Sequence, residues 1–175
     1  MTAQQPAAPL HVATQFAARR PWVPSAAALR RWARAAHATA TGRTRRGRRG
    51  VAAPEAAVCI RIVGAAASRS LNAGYRAKDK PTNVLSFPAS RVGRALDGSL
   101  GDLVICATVV AAEARAQGKA LAAHWAHMVV HGVLHLHGFD HGTARGARVM
   151  EGLEVEILRG FGYQDPYRPS MPPKP

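Results

Sequence analysis

A chain of 175 residues, 47% of them apolar, is long enough for one domain with a hydrophobic core and too apolar to be intrinsically disordered. Its two cysteines lie within apolar runs, which excludes the disulfide framework of a small secreted protein. The chain shows neither a signal-peptide pattern nor an apolar stretch of about 20 residues, so we expect a cytoplasmic protein that does not enter a membrane.

Positive charge dominates the chain and is concentrated in its first third. Lys and Arg number 24 against 10 Asp and Glu, a net charge of +14. The arginines between positions 19 and 49 all lie before the first acidic residue, which is Glu55. From Glu55 onward, the positive and negative charges are close to balanced. Such a concentration attracts polyanions, nucleic acid above all, through phosphate neutralisation and counterion release. Solubility alone is the alternative explanation.

Hydrophobic periodicity, helix caps and Gly or Pro breaks predict a series of strands and helices. In chain order they are a strand at 9–16, a helix after the N-cap Ser25, a flexible Arg-rich loop at 41–50, a strand at 56–63, a short helix at 68–73, strands at 82–87 and 101–106, and helices at 107–117, from 120 onward and at 143–159. Pro88 confines the strand at 82–87 to a sheet edge or a strand end.

These elements predict the α+β class, as a single domain with a roughly four-stranded mixed sheet packed against four to five helices. We expect residues 1–54 to contribute a basic strand, a helix and the Arg-rich loop to this domain. Residues 55–167 would form a metal-binding catalytic core, with the metal site at the end of a helix. Residues 168–175 would form an irregular tail.

The strongest chemical signal is a histidine cluster, because six of the eight histidines lie between positions 124 and 141. His131 and His135 are four residues apart, so on a helix both imidazoles lie on one face and can reach one ion. Gly138 can adopt positive φ, end the helix and turn the chain so that His141 returns to the same point. Three imidazoles around a tetrahedral Zn²⁺ leave a fourth position for water, whose pKa falls towards ~7 in such catalytic sites.

The spacing of this cluster coincides with the extended metallopeptidase pattern H-E-x-x-H-x-x-G-x-x-H. In that pattern the residue after the first histidine is a glutamate that acts as general base. Here the residue is Gly132, which has no side chain, so a peptidase would lack its proton shuttle.

The other polar residues of the cluster have more ordinary explanations. His124 and His127 lie one to two helical turns before the predicted ligands, so we expect them to pack or to support the site. We expect His137 to be exposed. Asp140 either orients a ligand imidazole or serves as a cap or a solvated residue.

The run HWAHMVVHGVLHLHGFDH at 124–141 closely resembles the signature of the YbeY family of bacterial zinc-dependent single-strand endoribonucleases, also called rRNA maturation factors. The likeness extends to SLNAGYRAKDKPTNVLSFP at 70–88, LGDLVIC at 100–106 and MEGLEVEILRGFGYQDPY at 150–167. Four blocks in the same order make this resemblance specific. The Arg-rich loop is not part of it.

The resemblance implies one zinc ion on His131, His135 and His141, and a functionally important arginine, which here is Arg76. A guanidinium is a permanently charged planar fork that suits the charge developing on phosphate oxygens. Lys78 and Lys80 follow Arg76 closely. They either extend the phosphate-binding surface or belong to a solvated loop.

The function implied by the resemblance is cleavage of phosphodiester bonds in single-stranded RNA, in rRNA maturation and ribosome quality control, with rRNA or ribosomal particles as partners. The nucleophile is either zinc hydroxide or the ribose 2′-OH. The alternatives are a non-enzymatic zinc-binding ribosome assembly factor and a divergent metallopeptidase. A peptidase would need an acid or base from elsewhere in the fold, and the nearest in sequence are Glu113, Glu151 and Asp140.

Overall fold

The computed structural model describes residues 9–18, 22–44 and 55–168. The four strands are β1 (Leu10–Phe16), β2 (Ala56–Val63), β3 (Val84–Pro88) and β4 (Ser99–Cys106). They form one sheet in the order β1-β2-β4-β3, in which β1, β2 and β4 are parallel and β3 runs antiparallel to β4. The predicted four-stranded mixed sheet is therefore confirmed.

Six helices accompany the sheet within the described residues. They are α1 (Ala26–Thr44), α2 (Ala65–Arg76), α3 (Arg91–Asp97), α4 (Ala107–Ala116), α5 (Leu121–Leu136) and α6 (Ala144–Arg159). The α+β class is confirmed, with one helix more than the upper number predicted. The unpredicted helix is α3, which buries none of its residues and therefore has no amphipathic pattern to reveal it. Its signals are purely local: Ser90 caps its N-terminus and Gly98 ends it with positive φ.

The boundary between helix α1 and the Arg-rich loop differs from the prediction. The first four residues of the predicted loop at 41–50 continue α1, which ends at Thr44. These residues are not strong helix formers as a group, but the Thr41 hydroxyl donates to the carbonyl of His37 at 2.8 Å and Arg43 pairs with Glu156 of α6 at 3.7 Å, contacts that the sequence pattern does not reveal. The rest of the loop, at 45–50, and the predicted tail beyond residue 168 lie outside the described residues.

Helices pack against both faces of the sheet, over a larger and a smaller hydrophobic cluster. Helices α1, α5 and α6 share the larger core with one face, where Ile60, Leu103 and Ile105 are completely buried. The other face meets α2 over a smaller cluster that includes Leu85 and Phe87. Each fully buried aliphatic side chain of this kind contributes about 1.5–3 kcal/mol. None of the helices in the described ranges is long and apolar enough to span a bilayer.

Helix α5 lies at the centre of the larger core, and its position is set by a close approach to the sheet at Gly132. A Cβ atom on Gly132 would lie 2.8 Å and 3.0 Å from the two Cδ atoms of Leu103 and 3.4 Å from a Cγ atom of Val84. This face of α5 therefore touches strands β3 and β4. A glutamate at this position would clash with the sheet, so the missing general base has a packing reason.

We predict that Gly132→Ala lowers the free energy of unfolding by about 1–3 kcal/mol, because the added methyl group overpacks this contact. Urea denaturation of the purified protein measures the effect. Gly152→Ala is the matched control: Gly152 lies in α6, and a Cβ added there would meet open space, so we expect equal or greater stability by up to about 1 kcal/mol. Because both variants gain the same helix propensity, a Gly132→Ala variant as stable as Gly152→Ala would contradict the close approach.

Candidate metal centre

The three predicted ligands come from the last two turns of α5 and from the loop that follows it. His131 and His135 share one face of the helix, and their ring centroids are 4.6 Å apart. Gly138 has φ 87°, and the N–H of Phe139 donates to the carbonyl of Leu134 at 3.1 Å, which closes the helix end. The chain then returns to bring His141 to the pair. This is the turn that the sequence predicted.

The geometry of the three imidazoles suits a single ion. The ring centroid of His141 lies 5.5 Å from that of His131 and 4.9 Å from that of His135. One ring nitrogen from each residue can be chosen so that all three atoms lie within 4.8 Å of one another. His141 is exposed and the other two are half-buried. A group of three nitrogen donors with an open side fits a tetrahedral metal that keeps a free coordination position.

The protonation state of the central imidazole also favours a metal. Burial lowers the pKa of His135, and the neighbouring imidazoles of His131 and His141 lower it further. A lowered pKa keeps His135 neutral at physiological pH, and the neutral imidazole is the form that binds a metal.

A buried carboxylate that the sequence did not reveal holds the first ligand. Glu154 of α6 is fully buried and accepts a hydrogen bond from Nδ1 of His131 at 2.7 Å and from Nε2 of His127 at 3.1 Å. The hydroxyl of Tyr167 also donates to Glu154. With its Nδ1–H bound to the carboxylate, His131 presents Nε2 to the site, an arrangement typical of metal-binding histidines.

The hydrogen bonds keep the Glu154 carboxylate charged although it is buried. Burial raises its pKa, but the hydrogen bonds from His127, His131 and Tyr167 outweigh this and bring the pKa down to about 2. The pKa of Tyr167 moves upward because of its burial and its contact with Glu154, so its hydroxyl remains a donor. His127, His131 and Glu154 also have ligand atoms within 4.8 Å of one another. Their atoms are engaged with each other, so this second group supports the first.

Glu154 was missed because its role depends on tertiary packing. The only signal is its place among apolar positions of α6, where Met150, Leu153 and Ile157 are buried. An acidic residue in the buried stripe of an amphipathic helix predicts a buried partner. The sequence instead drew attention to its neighbours. Glu151 lines the cavity beside the histidines, whereas Glu113 accepts hydrogen bonds from Asn83 and from Nε2 of His124.

The remaining predictions for the histidine cluster are partly confirmed and partly wrong. His124 and His127 are buried and hydrogen-bonded to carboxylates, as expected for packing or supporting residues. Asp140 is exposed and accepts a hydrogen bond from the backbone N–H of His141 at 2.7 Å, which fits a local cap. The expectation that His137 is exposed is wrong. It is half-buried against His37 with 3.1 Å between ring nitrogens, and burial lowers its pKa to about 4.

A cavity of about 250 Å³ lies beside the histidines, between α5, α6 and the beginning of β3. His131 and His141 are among its lining residues, as are Asn83 and Tyr167. The cavity has room for part of a nucleotide next to a metal on the three imidazoles. Two of the three candidate ligands therefore line a cavity, whereas His135 is not among its lining residues.

None of the three predicted cationic residues is among the lining residues of this cavity. Arg76 is the last residue of α2, and Lys78 and Lys80 lie in the loop that connects α2 to β3; all three are exposed. The amide of Asn72 donates to the carbonyl of Lys80 at 2.7 Å, which ties the loop to the helix. The same loop ends at Asn83 in the cavity wall. Their roles in binding and catalysis stay predictions.

Comparison with known proteins identifies the family. The family model described as Endoribonuclease YbeY matches residues 26–162. Endoribonuclease YbeY of Alkalilimnicola ehrlichii is 53% identical over 152 residues, which are 85% of this chain and 85% of that protein. Endoribonuclease YbeY of Methylococcus capsulatus is 49% identical over 150 residues, 86% of this chain and 91% of that protein.

A solved structure shows the same fold. The solution structure of a Thermotoga maritima protein superposes with a TM-score of 0.53 at 18% identity, covering 91% of this chain and 99% of that chain. Its low identity makes it evidence for the architecture alone. From the family match and the two close relatives, the chain belongs to the YbeY family of endoribonucleases.

Proposed function

We propose that this protein is an endoribonuclease that cleaves phosphodiester bonds in single-stranded RNA and uses one zinc ion held by His131, His135 and His141. The observation that carries the proposal is the convergence of three imidazoles on one open-sided point, beside a cavity. Membership of a family named for endoribonuclease activity supports the reaction. The all-nitrogen donor set supports zinc over magnesium or calcium, which prefer oxygen ligands.

Several residues of the chain have distinct roles in this reaction. Glu154 orients His131 and keeps the proton of that imidazole away from the site. Arg76 neutralises charge on the phosphate in the transition state, and Lys78 and Lys80 extend the phosphate-binding surface. His131, His135 and His141 would hold the zinc ion, which would supply Lewis-acid chemistry for the negative charge that develops on the phosphate.

Two observations favour this proposal over the alternatives. A structural zinc site in a ribosome assembly factor would close with four protein ligands, whereas this centre has three among the described residues, two of which line a cavity. The metallopeptidase pattern has its general base at the position of Gly132, which packs against Leu103 of the sheet, so a peptidase would depend on an acid from elsewhere, of which Glu151 lines the cavity. We also propose that the cellular substrate is rRNA or a ribosomal particle in the cytoplasm, which suits a net charge of +14.

The proposal is tested by removing and restoring the metal. We expect a chelator to abolish cleavage of a single-stranded RNA by the full chain, and added zinc to restore it. In protein purified without a histidine tag, we expect elemental analysis to find one zinc per chain. Replacing the ribose at the cut site with 2′-deoxyribose distinguishes the nucleophiles, because continued cleavage would exclude the 2′-OH. Cleavage that is insensitive to the chelator, or metal-dependent turnover of peptides alone, would contradict the assignment.

A further inference from the structure

An exposed aromatic pair lies at the end of α2, against the edge strand β3 and on the face of the sheet opposite α5. The side chain of Tyr75 is 70% exposed, the most exposed aromatic ring among the described residues. Its ring meets that of Phe87 edge to face, with the centroids 4.9 Å apart and the planes at 69°. This contact is an energetically favourable aromatic geometry, and it positions Tyr75 while leaving much of the ring open to solvent.

The surroundings of Tyr75 are strongly cationic. Arg76 follows it directly, and Lys78 and Lys80 lie in the adjoining loop, all of them exposed. The one acidic residue of this loop, Asp79, accepts two hydrogen bonds of 2.6 Å from Arg69. No ion pair involves Arg76, Lys78 or Lys80 in the part of the chain that the structure describes. The aromatic pair therefore lies beside positive charge that a partner can use.

The cationic loop joins the aromatic pair to the metal centre. Ser68 and Asn72 of α2 hold it in place: the Ser68 hydroxyl binds the backbone of Thr82, and the Asn72 amide binds the carbonyl of Lys80. The loop then ends at Asn83, in the wall of the cavity that contains His131. Phe87 and the cavity-lining Val84 both belong to β3, an edge strand with one open side. The loop therefore connects the end of α2, where Tyr75 lies, to the cavity wall at Asn83.

We propose that Tyr75, supported by Phe87, is a stacking platform for a nucleobase of single-stranded RNA whose phosphates lie along Arg76, Lys78 and Lys80. An aromatic face beside unpaired cations matches a polyanion with exposed π-faces, and such stacking tolerates any base. In a duplex the bases are already stacked on one another and the platform has nothing to bind. This inference rests on the proposed function and assigns its preference for single strands to a particular residue.

Binding to the full-length, chelator-treated protein tests the platform without cleavage. The probe is a short fluorescently labelled oligoadenosine followed by anisotropy. We expect Tyr75→Ala to weaken binding roughly tenfold, since loss of one base–aromatic stack has about this effect. Tyr75→Trp should bind at least as well as the parent, and Tyr75→Leu should resemble Tyr75→Ala. Because Tyr75 is largely exposed, these variants retain the fold.

Two controls separate stacking from general effects. Trp22→Ala changes another exposed aromatic, on the segment between β1 and α1, and should leave binding unchanged. An RNA duplex should bind the parent and Tyr75→Ala equally.

Equal affinity of the parent and Tyr75→Ala for single-stranded RNA would overturn the platform even if metal-dependent cleavage is found. Conversely, a parent protein that binds with the expected Tyr75 dependence but never cleaves RNA would contradict the proposed function and leave the platform standing.

Discussion

Replacing His135 with alanine is expected to abolish metal binding and to slow RNA cleavage roughly a thousandfold. His135 lies within 5 Å, ring to ring, of both other imidazoles, so its loss leaves only His131 and His141, whose ring centroids are 5.5 Å apart. A metal acting as Lewis acid stabilises the transition state by several kcal/mol, and each 1.36 kcal/mol corresponds to a factor of ten in rate. The side chain is half-buried at the end of α5, so the fold should survive the change.

Elemental analysis, cleavage rate and thermal unfolding of the same preparation measure this prediction. His11→Ala is the matched control, because His11 is exposed on β1 at the other edge of the sheet from β3 and pairs with Glu55. We expect that control to keep its zinc and its cleavage rate. If His135→Ala lost its zinc and still cleaved RNA at the parent rate, the metal would be structural. The protein would then be a nuclease whose mechanism does not use the metal, whereas absence of cleavage by the parent itself would favour the non-enzymatic ribosome assembly factor.

The geometry of the candidate metal centre was predictable because the positions of its three histidines depend on local rules. Two histidines four residues apart share a helical face whatever the rest of the fold does, and Gly138 provides a backbone conformation that turns the chain towards His141. The sheet was predictable for a similar reason, because its strands are short apolar runs with clear ends, such as Pro88 of β3.

The features that escaped prediction depend on contacts between distant parts of the chain. Glu154 is 23 residues from His131 and reaches it only because α6 packs against α5. His137 is buried by His37, which is 100 residues away on α1. Periodicity along one element says which face is apolar, but it does not say which polar group a neighbouring element brings to that face.

Gly132 has a packing role that the sequence alone did not reveal. From the sequence, a glycine after the first ligand indicates only that a general base is missing. In the structure the same position is the point of closest approach between α5 and the side chain of Leu103. The glycine therefore sets how deeply α5 sits on the sheet, and with it the position of His131 and His135 relative to the cavity.

We expect Glu154→Gln to lower zinc affinity by about 10- to 100-fold, which is the usual effect of removing the partner of a metal-binding histidine. The amide keeps the shape of the side chain but loses the negative charge. It also offers only one acceptor oxygen where the carboxylate uses two, with Oε1 bound to His131 and Oε2 to both His127 and Tyr167. At least one of these donors would lose its partner or face an N–H group. His131 would then lose its fixed tautomer and orientation.

Competition with a chromogenic chelator measures the zinc affinity of the parent and the variant, and thermal unfolding of the metal-free forms shows whether the fold is intact. Glu156→Gln is the matched control, because Glu156 lies two residues further along α6, is exposed and pairs only with Arg43 at 3.7 Å among the described residues. Its zinc affinity should equal that of the parent. A Glu154→Gln variant that is folded and binds zinc as tightly as Glu156→Gln would show that the buried carboxylate serves packing alone. In that case the orientation of His131 would depend on α5 and not on α6.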